Sequence, residues 1–350
     1  MTIFNRHKSR TAYPWLLNKH LKRPTSPKYK AQKKKKKKNP PKSGNPQSLP
    51  HYSEIPKSGN SNSNWNSTNS VKFIIMASKI ALCFMVGPLL DENPYIAHEN
   101  VWNAWIDPDR FVVYVHATHA EPRIHFNDTI QVDFIPTRPT QWGHISLVHV
   151  ALDLMERAFQ NPSVVKCVFL SGACLPVKSS QVVYDILTAD NASFICMCPR
   201  AQVEKRFKDG CSLLNHYQLK QIHKHSQWSI INQEHGRYLI GQRELIQQQF
   251  GAIDVKVPDE CVFATLLLAR QFPDIYKNRA TTWVDWSNDD SNSPTCYYDI
   301  SIAEFTKVLD NPEHLFARKF ATDCVVGGVE PAYLFLKHKL GWRELAPHGH

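Results

Sequence analysis

Short apolar stretches alternate with longer amphipathic stretches from residue 79 onward. "KIALCFMVG" and "RFVVYVHA" are almost continuously apolar, which is typical of strands buried on both faces of a parallel sheet. Between them, "YIAHENVWNAWI" places apolar residues at helical spacing. This order predicts a strand, a helix and a parallel strand, which is a βαβ unit.

The same alternation continues beyond this unit. "SLVHVALDLMERAFQ" has one apolar helical face, and "VVKCVFLSG" is a further apolar strand. "SSQVVYDILTA" opens with Ser179 and Ser180, which are suitable N-cap residues for a short helix. The chain contains no internal repeat. We therefore predict one α/β domain with a mainly parallel sheet over residues 78–345.

The ends of the predicted strands indicate where a ligand would bind. In open α/β sheets, ligands bind beyond the carboxyl ends of the strands. These ends carry Val86 and Gly87, His116, and the "SGAC" turn that begins at Ser171. Of these, only His116 titrates near neutral pH, and a single histidine is more often structural than catalytic.

The basic residues are concentrated in the first part of the chain. Residues 1–72 hold 17 of the 42 Lys/Arg and one of the 31 acids, so the remainder has 25 bases and 30 acids. The unbroken run Lys33 to Lys38 and its Pro-, Ser- and Asn-rich surroundings predict a disordered tail over residues 1–70. Such a lysine block attracts anions, such as nucleic acid or acidic lipid, without specificity. A solvated leader, or a true start at Met76, is the alternative.

One stretch is apolar enough to raise the question of a membrane segment. Residues 73–90, "FIIMASKIALCFMVGPLL", reach the lower length limit for spanning, but Lys79 lies near the centre. A buried strand explains the pattern better, and a signal-anchor remains an open alternative.

The absence of several known motifs argues against some classes of protein. No GxGxxG follows the first strand, and neither a Walker lysine nor a GxSxG motif is present. The nine cysteines form no CxxC pair, and Cys196 and Cys198 with the downstream histidines do not fit a zinc-site spacing. The sequence therefore disfavours dinucleotide binding, P-loop chemistry, a serine hydrolase and a zinc site.

Six polar and aromatic blocks remain, spread over the whole domain. They are "TQWGHISLV", "SGACLPVKS", "HSQWSIIN", "VPDECVFAT", "TTWVDWS" and "HLFARKF". In this order and spacing they resemble the core-2/I-branching family of glycosyltransferases, family 14, and most closely its plant-type branch. The resemblance covers roughly residues 78–345.

This resemblance implies a GT-A type fold and a transferase that inverts the anomeric carbon. The implied donor is a nucleotide sugar, expected to be UDP-GlcNAc or a related UDP-sugar, the acceptor is a glycan hydroxyl, and no divalent metal or other cofactor is expected. The glutamate of the family's "PDE" block is the general base, which corresponds to Glu260. This role fits the chemistry, because a sugar hydroxyl needs a carboxylate to take its proton as it attacks. Asp259 is expected to begin the following helix.

A transferase without a metal must neutralise its leaving diphosphate with fixed cations. In "ARKF", Lys319 matches the family's lysine, and Arg318 is its neighbour. Animal members also use an upstream arginine, which "SNSPTCYYD" lacks, so Arg318 is a candidate substitute. The chain differs from the family pattern at two further positions. His116 stands where animal members have an aspartate near the uridine, and His144 stands where plant-type members often have a glutamate.

Tryptophans next to polar residues suggest where the acceptor binds, since sugar faces stack on such rings. Asp285 with Trp286 is the first candidate, followed by Gln227 with Trp228. Core packing is the alternative for each ring.

A second functional hypothesis remains open from the sequence. The chain would then be a catalytically degenerate binding protein whose tail contacts nucleic acid or membrane. The family resemblance implies Golgi membrane residence in a eukaryote, and the sequons at Asn66, Asn127 and Asn191 would permit glycosylation there. A soluble cytoplasmic form is also left open.

Overall fold

A seven-stranded β-sheet lies at the centre of the described fold. The structure is a computed structural model that describes residues 77–87, 96–118, 124–208, 210–287 and 293–341. The predicted tail, residues 1–70, and the first residues of the apolar stretch 73–90 lie outside the described residues.

The strands and helices follow the order expected for an α/β protein. The strands are β1 Lys79–Val86, β2 Phe111–Ala117, β3 Val132–Phe134, β4 Val164–Ser171, β5 Leu175–Pro176, β6 Ser193–Phe194, β7 Ile230–Asn232, β8 Ile275–Tyr276, β9 Thr282–Val284, β10 Tyr297–Ile300, β11 Phe316–Arg318, β12 Phe320–Val326 and β13 Glu330–Pro331. The helices are α1 Glu99–Trp105, α2 Ser146–Ala158, α3 Ser180–Thr188, α4 Arg200–Arg206, α5 Gln233–Gly241, α6 Arg243–Phe250, α7 Val262–Ala269, α8 Ile302–Asp310 and α9 Ala332–Leu340.

Within the described residues, the central sheet has seven strands in the order β3-β2-β1-β4-β7-β6-β8. β3, β2, β1 and β4 run parallel, β7 is antiparallel to both of its neighbours, and β8 is parallel to β6. The predictions of a βαβ unit and of a mainly parallel sheet are therefore confirmed.

Both faces of the sheet are covered by helices, which explains why β1 and β2 are apolar throughout. Ala81 and Cys83 of β1 belong to the core beneath α2, α5 and α7. The alternate residues Leu82 and Phe84 point into the opposite core, beneath α1 and α3. There Trp102 of α1 meets Phe84 edge to face at 5.1 Å between ring centroids. The helical spacing of "VWNAW" is thus the spacing of a buried helix face.

One local prediction is confirmed, and one further segment forms only a short strand. Ser179 caps α3 as expected, because its side chain accepts a hydrogen bond from the Val182 amide. "SFICMCP" forms a strand only at Ser193–Phe194, and Met197 continues as an isolated bridge to His225. The apolar stretch around Lys79 is a buried strand where it is described, since β1 lies inside the sheet.

Two smaller sheets, which the sequence did not predict, complete the described fold. One has the order β5-β11-β9 and the other β10-β12-β13. They enclose a third core with α8 and α9 and carry the "TTWVDWS" and "HLFARKF" blocks. Among the residues that the structure describes, no helix has the length and apolar character needed to cross a membrane.

Candidate active site

The carboxyl ends of β1, β2 and β4 meet at one edge of the sheet, as the sequence predicted. Val86 pairs with Ala117, and Met85 pairs with Ser171. The Val86 side chain is buried, and its carbonyl accepts hydrogen bonds from the backbone N–H and the hydroxyl of Thr118. Gly87 follows at an exposed position where an added Cβ would meet no atom within 4 Å. We call this region the donor edge.

His116 lies at the donor edge, but its ring is engaged inside the protein. The side chain is buried, and Nε2 accepts a hydrogen bond of 3.0 Å from the Arg138 amide. Burial lowers the pKa of His116 to about 4, so the ring is neutral at physiological pH. Its visible role is to hold the segment that precedes α2, and the prediction of a donor contact stays untested.

Glu260 lies on a short 3-10 turn, Pro258–Glu260, and not in a helix. The turn is fixed from both sides. Val257 has a left-handed φ of 53°, which is unusual for a β-branched residue. Its amide donates a hydrogen bond to the Gly143 carbonyl at 3.1 Å. The Glu260 carbonyl accepts from the His225 amide at 2.7 Å. The "TQWGHISLV" and "HSQWSIIN" blocks therefore both hold the turn of the candidate base.

The carboxylate of Glu260 is bound by two cations at the same oxygen. Arg206 Nη1 lies 2.6 Å and Lys224 Nζ 3.1 Å from Oε2. Within the described residues, no hydrogen bond to Oε1 is found. Burial alone would raise the pKa of Glu260, but the positive charges of Lys224 and Arg206 outweigh it and lower the pKa. The group is therefore an ionised carboxylate with one oxygen left to accept a proton.

Asp259 is in a different state from its neighbour, and the expectation that it begins the helix is wrong. Helix α7 starts at Val262 after Cys261, without a side-chain cap. The Asp259 side chain is instead buried, and its Oδ1 has no hydrogen-bond partner. Burial, together with the charge of Glu260, raises the pKa of Asp259 to about 7. Two adjacent carboxyl groups thus have well-separated pKa values, a pattern typical of functional sites.

Arg318 connects the donor edge to the segment before β7. Its Nε donates to Ser171 Oγ at 3.2 Å, and its guanidinium carbon lies 4.2 Å from the centre of the Trp228 ring. One face of Trp228 is therefore covered by Arg318, and the partly buried ring also packs against the core beneath α2, α5 and α7. The side chain of Gln227 is partly exposed beside it.

Lys319 follows directly, and its carbonyl accepts from the Tyr297 amide at 2.8 Å. Among the described residues, neither Arg318 nor Lys319 forms an ion pair with a carboxylate. Neither positive charge is therefore neutralised by a carboxylate of this part of the chain.

Asp285 and Trp286 lie next to these cations. Val284 pairs with Arg318 in the small sheet, so Asp285 follows at the same end. Asp285 Oδ2 accepts a hydrogen bond of 2.7 Å from the hydroxyl of Tyr297. The Trp286 side chain is 54% exposed, so it is not a core residue. Tyr297 is a site residue that the sequence did not single out.

The sequence also missed Arg206 and Lys224, although both lie in a basic stretch. Within the described part of the chain, no cluster of three His, Cys, Asp or Glu side chains fits a metal ion. Cys198 Sγ instead lies 3.2 Å from Lys224 Nζ. The expectation of a metal-independent site stays a prediction.

A separate groove of about 720 Å³ lies between residues 133–139 and α2. Its charged side chains are paired with one another, as in the Arg138–Asp153 and Arg157–Asp133 ion pairs of 2.9 and 2.8 Å. The groove does not include Glu260. We take the Glu260 site as the candidate active site on the basis of its two perturbed carboxyl groups, Asp259 and Glu260.

The chain is similar to known proteins of one family. The profile of the Core-2/I-branching enzyme family matches residues 98–309, more than half of the chain. The chain belongs to this family. The α/β architecture with its mainly parallel sheet is consistent with a GT-A type fold.

A similar curated protein supports the plant-type branch. "Glycosyltransferase BC10" of Oryza sativa subsp. japonica is 23% identical over 163 residues. The match covers 42% of this chain and 38% of the length of the rice protein.

Proposed function

We propose that this chain is an inverting, metal-independent glycosyltransferase that moves a sugar, GlcNAc or a related sugar, from a UDP donor onto a glycan hydroxyl. The observation that carries the proposal is the state of Glu260, an ionised carboxylate that is held at Oε2 and has no partner at Oε1 among the described residues. Membership of the Core-2/I-branching family and the similarity to a rice glycosyltransferase support the transferase class.

Glu260 acts in this proposal as the general base. As the acceptor oxygen attacks the anomeric carbon, its proton passes to Glu260 Oε1. The new C–O bond forms while the bond to the diphosphate breaks, and the diphosphate leaves with the electron pair. Inversion needs only one carboxylate, unlike the pair that a glycosidase uses.

Lys319 and Arg318 supply the charge for the leaving diphosphate. Neither side chain pairs with a carboxylate in the described ranges, which supports this role, because fixed cations aimed at developing negative charge are usually the largest source of catalysis. The bond from Arg318 to Ser171 supports a diphosphate at the donor edge, near Val86, Gly87 and His116. The missing upstream arginine would then be replaced by Arg318.

The acceptor would bind between the Glu260 turn and the two tryptophan segments. The exposed ring of Trp286 with Asp285 supports one stacking position, and the partly exposed Trp228 with Gln227 is the second candidate. Trp228 stacks on Arg318. Asp285 and Trp286 follow β9, which pairs with β11, the strand that ends at Arg318.

The test is a donor-hydrolysis screen of the full chain with a panel of nucleotide sugars in EDTA. We expect release of nucleotide from one donor, unaffected by EDTA and lost in Glu260→Gln and Lys319→Ala. Lys307→Ala, which removes an exposed lysine on α8, is the matched control. Release that requires added divalent metal would refute the metal-independent mechanism, and silence across the panel without UDP binding would refute the transferase.

A further inference from the structure

The charges around Glu260 do not balance. One carboxylate faces two cations, Arg206 at 2.6 Å and Lys224 at 3.1 Å. The adjacent Asp259 contributes only part of a negative charge at neutral pH, because burial raises its pKa to about 7. A net positive charge therefore remains beside the candidate base.

Further basic groups surround this pair. We call Arg200, Arg206, Lys224 and Lys277 the basic rim. Its members come from three segments that hydrogen bonds join, since the Cys198 amide donates to the Lys224 carbonyl at 2.8 Å and the Met197 amide to the Lys277 carbonyl at 2.7 Å. Burial lowers the pKa of His223, and the nearby charges of Arg200 and Lys277 lower it further.

The acids near the rim do not cancel it. Glu204 lies 3.6 Å from Arg200 on the outer side of α4, and Glu313 is near Cys196. Residues 200–224 contain six Lys/Arg and two acids, whereas the chain from residue 73 onward has more acids than bases. The excess of positive charge is thus a local property of the side where the proposed acceptor binds.

This arrangement is unfavourable for a base acting on a neutral sugar. The two cations stabilise the ionised form of Glu260 and so weaken its affinity for a proton, whereas an efficient base has a pKa near the working pH. A neutral hydroxyl offers the cations no better partner. An anionic group on the acceptor would offer one, because charge-assisted hydrogen bonds to Arg and Lys are among the strongest in proteins.

We propose that the acceptor is an acidic glycan, and that its anionic group binds Arg206 and Lys224 and draws them away from Glu260. Binding of the correct acceptor would then strengthen the base at the moment when the hydroxyl arrives. This inference rests on the proposed function and names the substrate class of the same site. Uronic acids and sulfated sugars share the required negative charge.

The test measures calorimetric binding of three trisaccharides to the full chain. They are tri-galacturonate, its fully methyl-esterified form, which is the same skeleton without charge, and a sulfated galactose trisaccharide. We expect at least one acidic trisaccharide to bind about tenfold more tightly than the ester at low salt, with the difference shrinking as salt rises. The preferred acid identifies the carboxylate or the sulfate as the anion.

Variants locate the anion. Arg206→Gln and Lys224→Gln should each abolish the preference for the acid, and Arg206→Lys should retain part of it, while the matched Lys307→Gln leaves it unchanged. Glu260→Gln should tighten acid binding several-fold, since it removes the carboxylate that competes for the same cations. A merely structural role for these residues would not produce tighter binding.

Two results would overturn the inference. One is equal affinity for the acids and the ester, or no binding of either acid. The other is a preference for the acid that survives in both Arg206→Gln and Lys224→Gln. UDP affinity, measured in the same preparations, reports on the donor site separately. Loss of UDP binding with intact acid binding would count against the proposed function alone.

Discussion

The site contains two pairs of cations that differ in what they contact. Arg206 and Lys224 grip a carboxylate, at 2.6 and 3.1 Å from Glu260 Oε2. Arg318 contacts an aromatic face and a hydroxyl, and Lys319 has no carboxylate partner among the described residues. The first pair therefore favours the ionised form of Glu260. The second pair is the one to which the proposed function assigns an incoming anion.

This difference follows from the supporting segments. α4 and the segment before β7 bring the first pair to the 3-10 turn of Glu260. β11 places the second pair beside Ser171 and β9. Asp285, which follows β9, accepts a hydrogen bond from the hydroxyl of Tyr297.

The largest expected effect is on transfer activity, and it distinguishes Glu260 from the adjacent Asp259. Glu260→Gln should lower transfer by about 10²-fold or more, the usual contribution of a general base. Asp259→Asn should retain activity within about threefold below pH 7, since a neutral amide resembles the protonated acid that its raised pKa implies. The measurement is kcat/KM of both purified variants at pH 6, with circular dichroism to verify folding. Equal losses in the two variants would contradict the assignment of the base.

The second prediction compares how the two cation pairs contribute to UDP binding. Lys319→Ala should weaken UDP binding about tenfold or more, because it removes a charge directed at the diphosphate. Lys224→Ala should change UDP affinity less than about twofold, since its ammonium is committed to Glu260. Calorimetry with UDP and with uridine separates diphosphate recognition from base recognition. A larger loss in Lys224→Ala than in Lys319→Ala would reverse the roles that we assign.

A third effect concerns pH. The pKa of Glu260 is lowered by Lys224 and Arg206 against the opposing effect of burial, so its base form persists below the ordinary range for a glutamate. Lys224→Met removes one of these charges, raises the pKa and should move the acid limb of the kcat/KM profile to higher pH. Lys205→Met, at an exposed position of α4 next to Arg206, is the matched control. An unchanged acid limb would mean that Lys224 does not act on the base.

The sequence predicted the parts of this site that depend on local pattern. The apolar runs of β1, β2 and β4 predicted the sheet and its donor edge, and the "PDE" block identified Glu260 through its resemblance to a family. Local pattern could not predict contacts between residues that are far apart in the sequence. Arg206 lies 54 positions from Glu260, and nothing local signals that their side chains meet.

Asp259 shows a second limit of the sequence. An acid before an apolar run normally suggests a helix start, but here burial beneath α7 decides its state. The 3-10 turn that displaces the helix start depends on contacts of Val257 and Glu260 with two distant segments. Burial and backbone partners of this kind are properties of the assembled fold.

The smallest expected effect concerns the ring that supports Arg318. Trp228→Leu keeps an apolar side chain but removes the aromatic face, so Arg318 loses a partner worth about 1 kcal/mol. UDP affinity should fall about threefold, and Trp228→Phe, which retains a weaker face, should lie between Leu and wild type. The graded series separates loss of the cation–aromatic contact from loss of packing, because Phe and Leu differ little in burial. Identical UDP affinity in all three proteins would mean that Lys319 holds the diphosphate without help from Arg318.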